Sequence, residues 1–140
     1  MRVFLDANVI VSGLAFPGNA NRILRSTFSA RDEFVSSEDV RNEVLDVLVE
    51  KFPSLSKEAS EALSLLPLLW MPRRSYTASA SDYPGLRDPE DAHVLGAATA
   101  AGCDLLVTGD KDLLSIGKVR AVRIVSPATA WVILQMSHRE

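Results

Sequence analysis

The sequence predicts an α/β fold, three layers (α/β/α) around a central, mostly parallel sheet. Three observations carry this expectation. Short strand-like runs at residues 3–5, 33–36, 68–71 and 105–107 alternate with longer segments of helical periodicity. The two most apolar runs each lead into an aspartate, Asp6 and Asp110. The stretch Asp88-Pro89-Glu90-Asp91 is a strong helix start, with a capping acid, a proline at the first helical position and two acids in the first turn.

The elements follow in order. Residues 19–31 place Ile23, Leu24 and Phe28 at helical spacing, with Asn19 or Asn21 suited to cap. Ser36 or Ser37 starts a second helix whose first turn holds Glu38 and Asp39, where the helix dipole favours acids. Its apolar stripe is Val40, Val44, Val47, Leu48 and Phe52, and Pro53 stops it. Ser54 or Ser56 caps a third helix that ends at Pro67. Residues 72–87 read as one long irregular connection, rich in serine and containing Tyr76 and Tyr83. An alanine-rich helix then runs from Asp88 to a stop at Gly102. Residues 119–125 read as a last strand, and Pro127 opens a terminal helix.

A chain of 140 residues suits a single domain, 1–140, with no internal repeat. Apolar content of 47% and charged content of 24% are those of an ordinary globule rather than a disordered chain. No apolar run approaches the ~18 residues of a membrane span, and no signal peptide is visible. The lone Cys103 excludes an internal disulfide and a cysteine-based zinc site. These features predict a cytoplasmic protein without membrane attachment. The net charge of −3 gives no long-range pull on nucleic acid. Any such ligand would need metal ions or local arginines to offset its charge.

The chemistry lies in the acids. In a parallel sheet, Asp6 and Asp110 follow strands that end on the same edge, where open α/β sheets bind ligands. Glu43 borders the apolar stripe of its helix, three residues after Val40 and four before Val47. Asp91 aligns with Val94, Leu95 and Ala98 on an inward face. Four carboxylates facing one point raise one another's pKa values and destabilise the fold unless something neutralises them. A hard divalent cation, Mg²⁺ or Mn²⁺, does so with such oxygen ligands.

Each acid also has a plainer reading. Asp6 suits an N-cap, Asp91 a capping-box acid, Asp110 and Asp112 turn residues, and Glu43 a solvated helix charge. His93, two residues from Asp91, is expected to point elsewhere. Tyr76 and Tyr83 offer rings for base stacking, and Arg73, Arg74, Arg87, Lys111 and Lys118 offer charges for phosphates, with solvated surface as the commoner role.

Four segments taken together resemble the motifs of PIN-domain nucleases. They are Val3-Phe4-Leu5-Asp6-Ala7-Asn8-Val9-Ile10-Val11-Ser12, Glu43 within the second long helix, Asp88-Pro89-Glu90-Asp91-Ala92-His93-Val94-Leu95-Gly96-Ala97-Ala98, and Leu106-Val107-Thr108-Gly109-Asp110-Lys111-Asp112. Their order and spacing agree over nearly the whole chain. Ala7 stands where the family often has Thr or Ser. The resemblance implies an endoribonuclease that cleaves single-stranded RNA with Mg²⁺ or Mn²⁺. It implies metal-ligand roles for Asp6, Asp91 and Asp110, with Glu43 completing the catalytic pocket and Asp112 as an outer or alternative ligand. Asn8, Ser12 and Thr108 are implied as polar support. The size resembles the toxin components of bacterial toxin–antitoxin pairs, which implies a homodimer and a cognate antitoxin. Two rivals stand beside this reading. One is a PIN-like module that only binds a partner, against which the complete acid set argues. The other is an aspartyl-phosphate phosphatase, which wants a second Asp where this chain has Asn8.

Overall fold

The computed structural model describes residues 1–77 and 79–138; Ala78, inside the long connection read from the sequence, and residues 139–140 lie outside that description. Its strands are β1 (Arg2–Leu5), β2 (Glu33–Ser37), β3 (Leu69–Met71), β4 (Leu105–Val107), β5 (Lys118–Val119) and β6 (Val122–Val125). They form one sheet in the order β3-β2-β1-β4-β6-β5, parallel except for the β5–β6 pair. The helices are α1 (Ala7–Ala15), α2 (Asn19–Ser26), α3 (Glu38–Lys51), α4 (Ser56–Leu65), α5 (Ala92–Ala100), α6 (Lys111–Ile116) and α7 (Pro127–Ser137).

β1 and β4 are buried on both faces, as apolar central strands of a parallel sheet must be. The chain steps from β1 to β2 to β3 in one direction and from β3 to β4 to β6 in the other. Right-handed crossovers therefore set α1–α4 on one face and α5 and α6 on the other. The direction of winding reverses between β1 and β4. That reversal leaves a crevice at the strands' carboxyl ends, and the register Leu5↔Val107 puts Asp6 and Thr108 side by side at its mouth.

The structure corrects several details. The helix expected over residues 19–31 ends as α-helix at Ser26 and finishes in a 3₁₀ turn, Thr27–Ser29, with Phe28 exposed. Its N-cap is Gly18, at φ 138°, rather than either asparagine. Leu55, without a side-chain cap bond, precedes α4 in place of the expected serine. The last strand is a hairpin, β5 and β6, turning at Arg120 with φ 53°. The turn after β4 continues into α6, unforeseen because its six residues are too few to show a helical period. Tyr76 and Tyr83 are buried, so neither ring is available to bases. The Tyr76 hydroxyl donates to Asp39 Oδ2 at 2.5 Å, and Arg73 pairs with the same carboxylate at 3.1 Å. No helix among the described residues is long and apolar enough to cross a membrane.

Candidate active site

Asp6 is the fixed point. Its backbone N–H donates to Val107 O at 3.1 Å, so β4 holds it directly. The residue is only 5% exposed. It fills the capping role too: Asp6 Oδ1 accepts from the Ala7 N–H at 2.8 Å at the start of α1. Oδ2 accepts from the Thr108 hydroxyl at 2.8 Å and from Asn8 Nδ2 at 3.3 Å. Capping thus orients the carboxylate and still leaves lone pairs toward the crevice.

Thr108 and Asn8 tie the two strand ends together. The buried Thr108 hydroxyl gives its proton to Asp6 and accepts from the Asp110 N–H at 3.1 Å. Asn8 Oδ1 accepts from the Gly109 N–H at 2.8 Å. Asp110 caps α6, its Oδ1 accepting from Asp112 N–H at 2.8 Å and Leu113 N–H at 3.2 Å, which leaves Oδ2 for other contacts. Thr108→Val keeps the volume and removes the hydroxyl. It should lower stability by about 1–3 kcal/mol, the cost of leaving buried partners unsatisfied. Thr108→Ser should restore most of that, as read by thermal melting.

A cleft of about 350 Å³ opens above these residues, and Asp6, Glu43, Asp91 and Asp110 all line it, with Asn8 and Ser12. Asp91 ends a 3₁₀ turn, Pro89–Asp91, just before α5, and makes no side-chain bond to the helix N-terminus. The cap of that turn is Asp88, which accepts from Glu90 N–H at 3.0 Å. Asp112 is not among the residues lining the cleft, and its Oδ1 lies 3.7 Å from Arg87 Nη1.

The acids feel one another. Burial pushes the Asp6 carboxyl above its usual range against the pull of the Thr108 and Ala7 hydrogen bonds, and Asp110 adds to the rise. Glu43 is raised by partial burial and then by Asp6 and Glu90. Asp91 is pushed up to about 6, first by burial and then by Asp110, Asp88, Asp6 and Glu43. Among the described residues, no three His, Cys, Asp or Glu side chains stand close enough to hold one ion as they are placed. The donor set nonetheless fits a hard cation: oxygen ligands alone, with excess negative charge and no lysine or arginine paired to them within 4 Å among the described residues.

Sequence reasoning missed three features of the cleft. His93 lines it, and its charge acts to lower the pKa of Asp6. The expectation that His93 points elsewhere assumed that Asp91 and His93 share one α-helix, whereas Asp91 belongs to the 3₁₀ turn before it. Lys51 lies at the far end, on the line Glu43, Val47, Lys51, and that spacing of four was a signal in the sequence. Phe16 and Phe52 meet beside it edge to face, 5.7 Å between ring centres.

A family model described as a PIN domain matches residues 2–112. The chain belongs to the PIN-domain family. The motifs that suggested it are therefore this PIN domain's own strand ends and helix starts. Solved structures show the same fold. A chain of VapBC2 from Rickettsia felis, crystallised bound to a DNA fragment from their promoter, aligns with TM-score 0.65 and 14% identity, over 90% of this chain and 98% of that one. Mycobacterium tuberculosis VapC20, a Sarcin-Ricin loop cleaving toxin, aligns with TM-score 0.59 and 17% identity, over 86% and 98% of the two chains. At such identities the likeness is one of fold. No curated protein matches the sequence.

Proposed function

We propose that the chain, residues 1–140, is a single-domain endoribonuclease that cleaves single-stranded RNA with Mg²⁺ or Mn²⁺. The observation that carries this reading is the meeting of Asp6, Glu43, Asp91 and Asp110, from four separate elements, in one cleft at the carboxyl edge of a PIN-domain sheet. Asp6, Asp91 and Asp110 would hold the cation, with Glu43 completing the set. A divalent ion bound there supplies a Lewis acid for the attacking water and for the scissile phosphate.

The chain's own residues do the rest. Asp6 is immobilised by β1, β4, Thr108 and Asn8, so its carboxylate loses little freedom on binding a ligand. Asp91 makes no capping hydrogen bond to its helix, which leaves its side chain free to rotate toward that fixed point. Asp110 keeps one oxygen on α6 and offers the other. Ser12 adds a hydroxyl at the cleft wall. Burial and repulsion from neighbouring carboxylates hold Asp6, Glu43 and Asp91 above their ordinary pKa values, so cation binding releases protons and strengthens as pH rises through about 6.

This has a consequence for the metal-free protein. Asp91 takes up protons near pH 6 when folded and near its ordinary value of 3.8 when unfolded. Between those values the folded state binds more protons, so stability falls as pH rises through the window. Melting temperature in EDTA should therefore decline from pH 4.5 to 6.5, and added Mn²⁺ should raise it most above pH 6. A flat profile with no Mn²⁺ effect would contradict the coupling.

The fold shared with the Rickettsia and Mycobacterium structures supports a toxin of the toxin–antitoxin kind, with a cognate antitoxin as partner. A homodimeric state and a cytoplasmic location belong to the same proposal, carried over from the resemblance and not from these structures. Asn8 holds Gly109 and Asp6 where a phosphatase would want a second carboxylate. The test is incubation of the purified chain with total RNA and Mn²⁺, followed by mapping of cleavage ends. Discrete ends absent in EDTA support the proposal, and intact RNA, or equal cleavage in EDTA, overturns it.

A further inference from the structure

The cleft has two unlike ends. The acids occupy one. The other is walled by Val11, Val47, Phe16 and Phe52, with Lys51 at its limit. Phe16 is 54% exposed, unusual for a large ring packed on another. Lys51 pairs with no carboxylate among the described residues. Its position in the last turn of α3 suits the helix dipole, but that alone does not require it to line the cleft. Along α3, Glu43 and Lys51 are eight residues apart, about 12 Å at 1.5 Å per residue. The cleft therefore changes from cation-binding to anion-binding character within the reach of a short stretch of chain.

We propose that this far end is a subsite for the nucleotide next to the scissile bond, with a base on the Phe16 ring and a neighbouring phosphate on Lys51. The occupant is single-stranded RNA, since only an unpaired strand offers a free base face and a phosphate together. The inference rests on the nuclease reading in Proposed function and deepens it. Lys51 and Phe16 are positioning residues here: they seat the strand so that the next phosphate lies over the acids. Their removal should raise KM and leave kcat nearly unchanged.

Binding and cleavage separate the two ideas. Binding of a fluorescein-labelled twelve-nucleotide oligouridylate is read by anisotropy in Ca²⁺ over a salt series. Cleavage of the same RNA is read in Mn²⁺. Lys51→Met keeps the aliphatic stem and should reduce the slope of log affinity against log salt by about 0.7, one phosphate's worth on a single strand. Phe16→Leu keeps apolar bulk for Phe52 and removes the aromatic face, and should weaken binding about 5- to 150-fold, the range for one stacked base. Phe16→Tyr should bind as wild type. Arg123→Met, on β6 between β4 and β5 and absent from the cleft lining, should leave the slope unchanged. Wild-type binding with these losses but no cleavage in Mn²⁺ would overturn the nuclease reading and leave the subsite standing. Cleavage with an unchanged slope in Lys51→Met and unchanged affinity in Phe16→Leu would overturn the subsite and leave the nuclease. Weakened self-association in Phe16→Leu with RNA binding intact, read by sedimentation, would make this end a contact between copies and would likewise overturn it.

Discussion

Asp6→Asn should reduce Mn²⁺-dependent RNA cleavage by more than about 100-fold while the protein stays folded. Altering a group that merely supports a metal ligand costs roughly 10- to 100-fold, and Asp6 is proposed to be a ligand itself. The amide is nearly isosteric with the carboxylate and can still accept from Ala7 N–H at the helix start. The Thr108 hydroxyl can rotate to meet it, although that gives up its present donation to Oδ2. The amide NH2 at the Oδ2 position also forgoes the long 3.3 Å donation from Asn8 Nδ2. Against these lost hydrogen bonds stands relief from burying a charge whose pKa is already raised by burial and by Asp110. The melting temperature should stay close to that of the wild type. Normal cleavage by a folded Asp6→Asn protein would remove Asp6 from the chemistry.

Gly96→Ala should destabilise the fold by at least about 1–3 kcal/mol, the usual cost of overpacking. Gly96 lies inside α5, where alanine would ordinarily gain 0.5–1 kcal/mol as the better helix former. Here a Cβ would stand 1.8 Å from the backbone oxygen of Thr77. The obstacle is main chain, so no side-chain rotation relieves it. The segment after β3, held at Tyr76 and Arg73 to Asp39, would have to lift from the helix. That segment leads into the Asp88 turn that positions Asp91, so activity should fall together with melting temperature. Limited proteolysis should cut within residues 72–87 in the variant before the wild type. Equal melting temperatures for the two proteins would show that the close approach does not hold in solution.

The acids were legible because each carries a local signature. Asp6 and Asp110 end apolar runs, Glu43 borders a stripe, and Asp91 follows a proline at a helix start. The parallel sheet was legible for the same reason, in the alternation of short apolar runs with helices. The details that escaped are tertiary. Nothing in the sequence around Tyr76 and Tyr83 distinguishes a ring buried against the fold from one open to solvent. The β5–β6 hairpin was hidden because Arg120 takes the left-handed turn that a sequence reader expects of glycine or asparagine. His93 was misplaced by assuming one continuous α-helix through a 3₁₀ turn. The cleft's far end lay in residues as distant as Phe16 and Lys51, whose meeting depends on how α1 packs on α3.

The central claim is that the four carboxylates act together on one divalent cation. Electron paramagnetic resonance of Mn²⁺ titrated into the protein at pH 7 tests it without reference to any substrate. The signal of free aqueous Mn²⁺ should be suppressed by the wild type and should reappear with Asp6→Asn and with Asp110→Asn. Equal suppression by all three proteins would place the ion elsewhere, and no suppression by the wild type would contradict the site itself.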